Sequence, residues 1–168
     1  MLRLVFPQEV DKEKVMSFRQ EFLDCNERIS GGVGLEKAES YEQWLRGETI
    51  PHYGKVKEMV FLAEDEQGEI VGVSDIRMEE NDFIRNFAGQ IGYSIRPSRR
   101  GKGYATQLLH LTLQQAQKQG FSQVLVTCNQ PNQASARVIE KNGGVLQEVV
   151  AHPGYPDVRR YLIYLHQI

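Results

Sequence analysis

Within five residues the chain sets three cations and two glycines, Arg99-Arg100-Gly101-Lys102-Gly103. Residues of these types suit one kind of chemistry, the holding of a phosphate or diphosphate. The cations attract it at long range, and glycines let it approach the main chain. A helix beginning there adds donors, because its first N–H groups have no intrahelical acceptor and its dipole makes that end positive. The flanking residues supply such a helix. Ile91, Tyr93 and Ile95 alternate with Gly92, Ser94 and Arg96, the period of a strand, and Pro97 closes it. From Gly103 the period changes, so that Ala105, Leu108, Leu109, Thr112, Leu113 and Ala116 share one face of a helix. Ile91 to Thr106 therefore reads as a strand, a basic turn and a helix start, which together cradle an anion.

Two familiar phosphate loops do not fit. The Walker loop places a hydroxyl after its lysine for Mg²⁺, whereas Lys102 is followed by Gly103. The dinucleotide fingerprint needs a third glycine, where Thr106 stands, and an acid at the end of the next strand. That strand, Val124 to Thr127, runs into Cys128 and Asn129. A third pattern does fit. Arg100-Gly-Lys-Gly103-Tyr-Ala105 resembles Gln/Arg-x-x-Gly-x-Gly/Ala, the pyrophosphate loop of the GNAT superfamily of acetyl-CoA-dependent N-acetyltransferases. Pro97 ahead of the turn is similar to the family's strand-Pro-x-x-Arg-Gly arrangement. Downstream, Asn132-Gln-Ala-Ser135-Ala-Arg-Val-Ile-Glu140-Lys141-Asn-Gly143 resembles the family's Asn-x-x-Ser...Glu-Lys-x-Gly segment. The resemblance runs from about Val60 to Val150.

It implies a mixed α+β fold, a mainly antiparallel central sheet flanked by helices, in one domain over residues 1–168. It implies acetyl-CoA as co-substrate, with the diphosphate on Arg100, Gly101, Lys102, Gly103, Tyr104, Ala105 and Thr106. In the family, the strands before the cradle and after its helix splay apart. The pantetheine arm lies in that gap and pairs with exposed backbone, here Tyr93, Ser94, Ile95 and Arg96. Asn132 and Ser135 are the implied contacts on the later helix. The implied partner is a small-molecule amine or a protein amino group; a non-catalytic acyl-CoA-binding module is the alternative.

An attacking amine must be neutral, so an alkylammonium of pKa about 10.4 needs a base or a water chain. The carbonyl oxygen gains charge, which a strand-end N–H stabilises by about 3–4 kcal/mol. A thiolate of pKa about 8.5 leaves passably unaided, so transfer can be direct. The family's usual tyrosine acid falls, counted from Asn132, on Ile139, which has no hydroxyl. Ser135 is either a contact for the sulfur or an N3 capping partner. The usual base slot holds Gln90. Asp75, Glu79 and Tyr161 remain, and Asp75 lies either beside the acetyl site or on a solvated face. Asp24, Glu27, Asp75, Glu79, Glu80 and Asp82 are expected to rim the acceptor side and suit a cationic amine. The loops Ile29–Gly34 and Ala151–Asp157 are expected to select it.

Composition sets wider bounds. A net charge of −2 argues against bulk nucleic-acid affinity. No apolar run approaches the roughly 20 residues that span a bilayer. No signal peptide precedes the fold, so a cytoplasmic location is expected. Cys25, Cys128 and the four histidines show no disulfide or metal framework, so no metal is expected. Along the chain the expected elements are strands Leu2–Phe6, Met59–Glu64, Glu69–Glu79, Val124–Thr127, Val145–Val150 and Val158–His166, besides the strand at Ile91. Helices are expected over Asp11–Asn26, over Ser40–Arg46 with Ser40 capping and Gln43 as box partner, from Gly103 to a Gly120 C-cap, and from Asn132 to Gly143. Glu80 to Gly89 is expected as a linker. Leu162, Tyr164 and Ile168 are an expected sheet edge for a homodimer.

Overall fold

Apolar alternation brings the strands into two antiparallel sheets in the computed structural model, which describes residues 1–167. In the first, β1 (Arg3–Val5), β2 (Glu58–Glu64), β3 (Ile70–Arg77) and β4 (Ile91–Ile95) pair in that order. In the second, β7 (Val158–Tyr164) lies between β5 (Gln123–Asn129) and β6 (Val145–Val150). The helices are α1 (Lys12–Asp24), α2 (Tyr41–Leu45), α3 (Tyr104–Lys118) and α4 (Gln133–Lys141). This is the mixed α+β layout expected from the sequence.

Strand alternation divides the core between two helical layers. Phe18 and Phe22 of α1 and Trp44 of α2 pack with Leu62, Ile70 and Val73. Leu109 and Leu113 of α3 pack with Ile76, Ile91, Val126 and Ile139. Ser74, one residue from Val73, hydrogen-bonds Thr112 of α3 at 2.7 Å, which places that helix on the opposite face.

Several local expectations shift. Ser40 Oγ accepts from Gln43 N at 3.0 Å, as a cap should, but Gln43 Oε1 accepts from Glu39 N, so the box closes one residue early. The cap of α3 is Gln119, and Gly120 follows it at φ 95°. The expected linker between β3 and β4 contains a π-helical turn, Ile84–Ala88. Leu162 and Tyr164 sit on the middle strand of their sheet and offer no edge. The edges are β5, which faces β4, and β6, which exposes Val145, Leu146 and Val149. Ile168 lies outside the described residues.

The feature that positions everything else is the join between the sheets. β4 and β5 share no ladder. At its start β4 is sewn to β5 by one residue: Gln90 N donates to Leu125 O at 2.7 Å, and Gln90 Oε1 accepts from Leu125 N at 2.8 Å. Gly89, at φ 74°, lies against the same backbone, where a Cβ would come within 3.0 Å of Leu125 O. Beyond this stitch the strands part. Gln90 is therefore a cross-link rather than a displaced base. Gln90→Ala should strand the buried Leu125 N–H and cost about 1–3 kcal/mol, measured as a lowered urea midpoint at unchanged m-value.

Candidate active site

The parting of β4 and β5 opens into a cleft of about 620 Å³. At one end lies the cradle. Gly101 and Gly103 both take φ 80°, the left-handed region that favours glycine, and a Cβ on either would meet open space. The first intrahelical bond of α3 runs from Gln107 N to Gly103 O at 3.2 Å. The N–H groups of Tyr104, Ala105 and Thr106 thus have no helical acceptor, and among the described residues no side chain caps them. These three residues line the cleft with Gly101 and Gly103. Arg100 lines it too, but its guanidinium is engaged by Glu27 at 2.7 and 3.1 Å and by Ile95 O at 3.2 Å. Arg100 in turn holds the Glu27 carboxyl below its ordinary pKa. Lys102 is exposed and outside the lining.

Beside the cradle runs the free edge of β4. Arg77 N donates to Gln90 O and Arg96 N to Val71 O, at 2.8 and 2.7 Å, so the even-numbered residues bond toward β3. By alternation the main-chain groups of Tyr93 and Ile95 face the opening. Ser94 also lines the cleft, and its Oγ donates to Ser30 O. Arg96 does not belong with them. It is 7% exposed, donates to Ile70 O at 3.0 Å and pairs with Glu21 at 3.1 Å, so it braces α1 against the sheet.

Farther along, β4 meets α4. Asn132 Oδ1 caps α4 by accepting from Ser135 N at 3.1 Å, while Ser135 Oγ hydrogen-bonds Tyr93 Oη at 2.7 Å. Ser135 is thus the cap's partner through its main chain, while its side chain meets Tyr93 at the cleft. Burial pushes the Tyr93 phenol up to about 12, so it keeps its proton at neutral pH. Burial also raises the Cys128 thiol, which argues against a nucleophile. Ile139 is fully buried.

The remaining acid–base candidates are committed elsewhere. Tyr161 is fully buried and donates to Glu140 at 2.9 Å. Glu79 accepts from Lys57 N at 2.6 Å. Asp75 is fully buried rather than solvated, and it forms one cluster with residues that sequence reasoning missed. Its Oδ2 accepts from Arg77 Nε at 3.0 Å and from Tyr53 Oη at 2.9 Å, and its Oδ1 from Gly92 N at 2.9 Å. Tyr53 Oη also meets Glu58. One O–H cannot donate to two carboxylates. The cluster resolves this with a protonated Glu58, whose carboxyl is pushed up to about 9 by burial and then by its hydrogen bond with Asp75. A signal for it existed: Asp75 and Arg77 are charges two apart in an apolar strand, and Glu58 lies opposite Arg77 in the register.

Above this cluster the loop before the 3-10 turn Leu35–Lys37 touches β4. Gly31, at φ 79°, is so close that a Cβ would come within 2.6 Å of Gly92 C and O. His52, Tyr53 and Arg77 line this second end of the cleft. Because the folded chain keeps the Glu58 proton that the unfolded chain gives up near the ordinary carboxyl value of 4.5, stability should fall as pH rises from there toward about 9. Glu58→Gln keeps the site neutral, and urea unfolding at several pH values should show a flatter profile than the parent chain.

Comparison with known proteins identifies the family. The model of the acetyltransferase (GNAT) domain matches residues 2–145. No curated protein matches the chain. Among solved structures, a dodecameric spermidine N-acetyltransferase from Vibrio cholerae is 19% identical, with TM-score 0.67, covering 99% of this chain and 95% of that one. The Vibrio cholerae enzyme in complex with CoA and spermine is 18% identical, with TM-score 0.68 and coverages of 98% and 96%. At such identity these structures establish the fold alone, and the domain match carries the assignment: the chain belongs to the GNAT acetyltransferase family and is a GNAT-type acyltransferase.

Proposed function

We propose that the chain moves an acetyl group from acetyl-CoA to a primary amine by direct attack of the amine on the thioester. One observation carries this reading: the unpartnered amides of Tyr104, Ala105 and Thr106 open into the same cleft as the unpaired edge of β4. A diphosphate suits the first and an extended amide-bearing arm suits the second. The co-substrate supplies an activated acyl group; the chain's residues hold, align and move protons. The proposed diphosphate contacts are Gly101, Gly103, Tyr104, Ala105 and Thr106, with Tyr93, Ser94 and Ile95 taking the arm and Asn132 and Ser135 closing over it. Arg100 and Lys102 act at longer range.

In this mechanism the Tyr93 N–H, facing the opening, stabilises the carbonyl oxygen as it gains charge. Amine nitrogen bonds to the acetyl carbon, the C–S bond breaks, and the departing sulfur takes a proton from the Tyr93–Ser135 pair, which stands in for the hydroxyl absent at Ile139. Asp75 does not serve as base, since it is held by Arg77. His52 is held down to about 4, first by burial and then by Arg28, Arg77 and Lys37. So weak a base can relay the ammonium proton to water but not keep it.

Two outcomes test this. Gly103→Asp keeps a residue that tolerates the left-handed region, yet it aims a carboxylate into the cradle. CoA binding by calorimetry should weaken by at least about tenfold with the unfolding temperature little changed; unaltered affinity would refute the cradle. Tyr93→Phe should lower kcat by roughly 10²-fold at most, because the thiolate leaves without much help, while the KM for acetyl-CoA stays near its parent value. CoA binding with no thiol release for any amine would instead support a binding module.

A further inference from the structure

The second end of the cleft has the wrong charge for a polyamine. Arg28 and Lys37 line it, both are exposed, and among the described residues neither has a hydrogen-bonding or ion-pairing partner through its side chain. The acids expected around this rim are spent on other groups. Glu27 is bound to Arg100, Asp75 to Arg77, and Glu80 and Asp82 to Arg85. Glu79 takes the Lys57 N–H, and Asp24 accepts from Gln20. The Arg77 charge is answered by Asp75.

One acid does line this end. Glu36 Oε2 accepts from Ile29 N at 3.0 Å, but its Oε1 is buried with no partner. Nearby, His52 is neutral, and the cations acting on it after burial are Arg28, Arg77 and Lys37. The ensemble is two unanswered cations, one carboxylate oxygen with a free lone pair, and an uncharged imidazole. A polycation entering here would meet repulsion from Arg28 and Lys37 with only Glu36 to offset it. A molecule with a carboxylate at one end and an amine at the other would meet complementary groups at both. Phe87 also lines the cleft, stacked on His152 at 3.9 Å, and offers an apolar contact for a side chain.

We infer that the acceptor is an amino compound bearing a carboxylate, of the amino-acid class, whose anion is received by Arg28 and Lys37. This rests on the acetyl-transfer reading above. Glu36 lines the same end, and the loop carrying Arg28 is keyed to β4 through Gly31. Selection would then come from charge on the loop after α1 rather than from an acidic rim.

The test uses the full chain and the double variant Arg28→Gln/Lys37→Gln, whose exposed positions spare the core. Thiol release from acetyl-CoA is followed with amino acids bearing apolar, aromatic and acidic side chains, with the carboxamide of each, and with spermidine. For the best side chain the acid should exceed its amide in kcat/KM by about tenfold or more. The double variant should erase that ratio and leave the KM for acetyl-CoA within about twofold of the parent. Spermidine outpacing every amino acid, amides equal to acids, or a variant that raises only the acetyl-CoA KM would each overturn the inference. If CoA binds but no amine is acetylated, the transfer reading fails on its own. In that case, calorimetric titration of N-acetyl amino acids against their amides into the CoA complex decides the site: preference for the carboxylate, lost in the variant, supports it, and equal binding overturns it.

Discussion

Two neighbouring strands that stop pairing leave main-chain donors and acceptors with nowhere to go, and a folded chain tolerates that only where something else can satisfy them. The split between β4 and β5 is such a place. Its closed end is fixed by the two hydrogen bonds of Gln90 to the Leu125 peptide, so the opening starts at a defined point. The helix that follows β4 then begins with three unpartnered amides at the mouth of the same opening. Edge and helix mouth together make one continuous polar track along the cleft, and the site follows from it.

The other fixed point is the buried ionic cluster beneath β4. Burying Arg77 and Asp75 costs more in desolvation than a surface pair would, and only a full complement of hydrogen bonds offsets it. That complement is present: Arg77 also donates to the carbonyls of Ala88 and Gly89, and Asp75 takes the Gly92 N–H. The cluster thereby ties the hairpin, the turn before β4 and the loop carrying Tyr53 into one unit. Its gain is placement, since it sets the floor of that end of the cleft while leaving neither Asp75 nor Arg77 free.

Much of this was legible in the chain. The change of period around Gly103 placed the cradle, because strand and helix spacing are local properties and glycine has few other uses between them. Asn132 as a helix cap followed from the same kind of short-range rule. What escaped was long-range. Arg96 has the alternation of an edge residue, yet its partners Glu21 and Ile70 lie far away in sequence. Gln90 looked like an acid replaced, because no periodicity tells that its amide reaches another sheet. Tyr53 and His52 sit in a loop with no pattern at all, and their importance comes wholly from what folds beneath them. The acidic rim failed for a related reason: composition counts charges, while their pairing with Arg100, Arg77 and Arg85 is decided in three dimensions.

The contact of Gly31 with the Gly92–Tyr93 peptide bears on how such a fold can diversify. With no room there for even a methyl group, the root of that loop is anchored main chain to main chain. Drift in length and chemistry is confined to the residues on either side of the anchor. A lineage can therefore change what the cleft admits by altering side chains around a fixed hinge point, while the main chain of β4 stays in place.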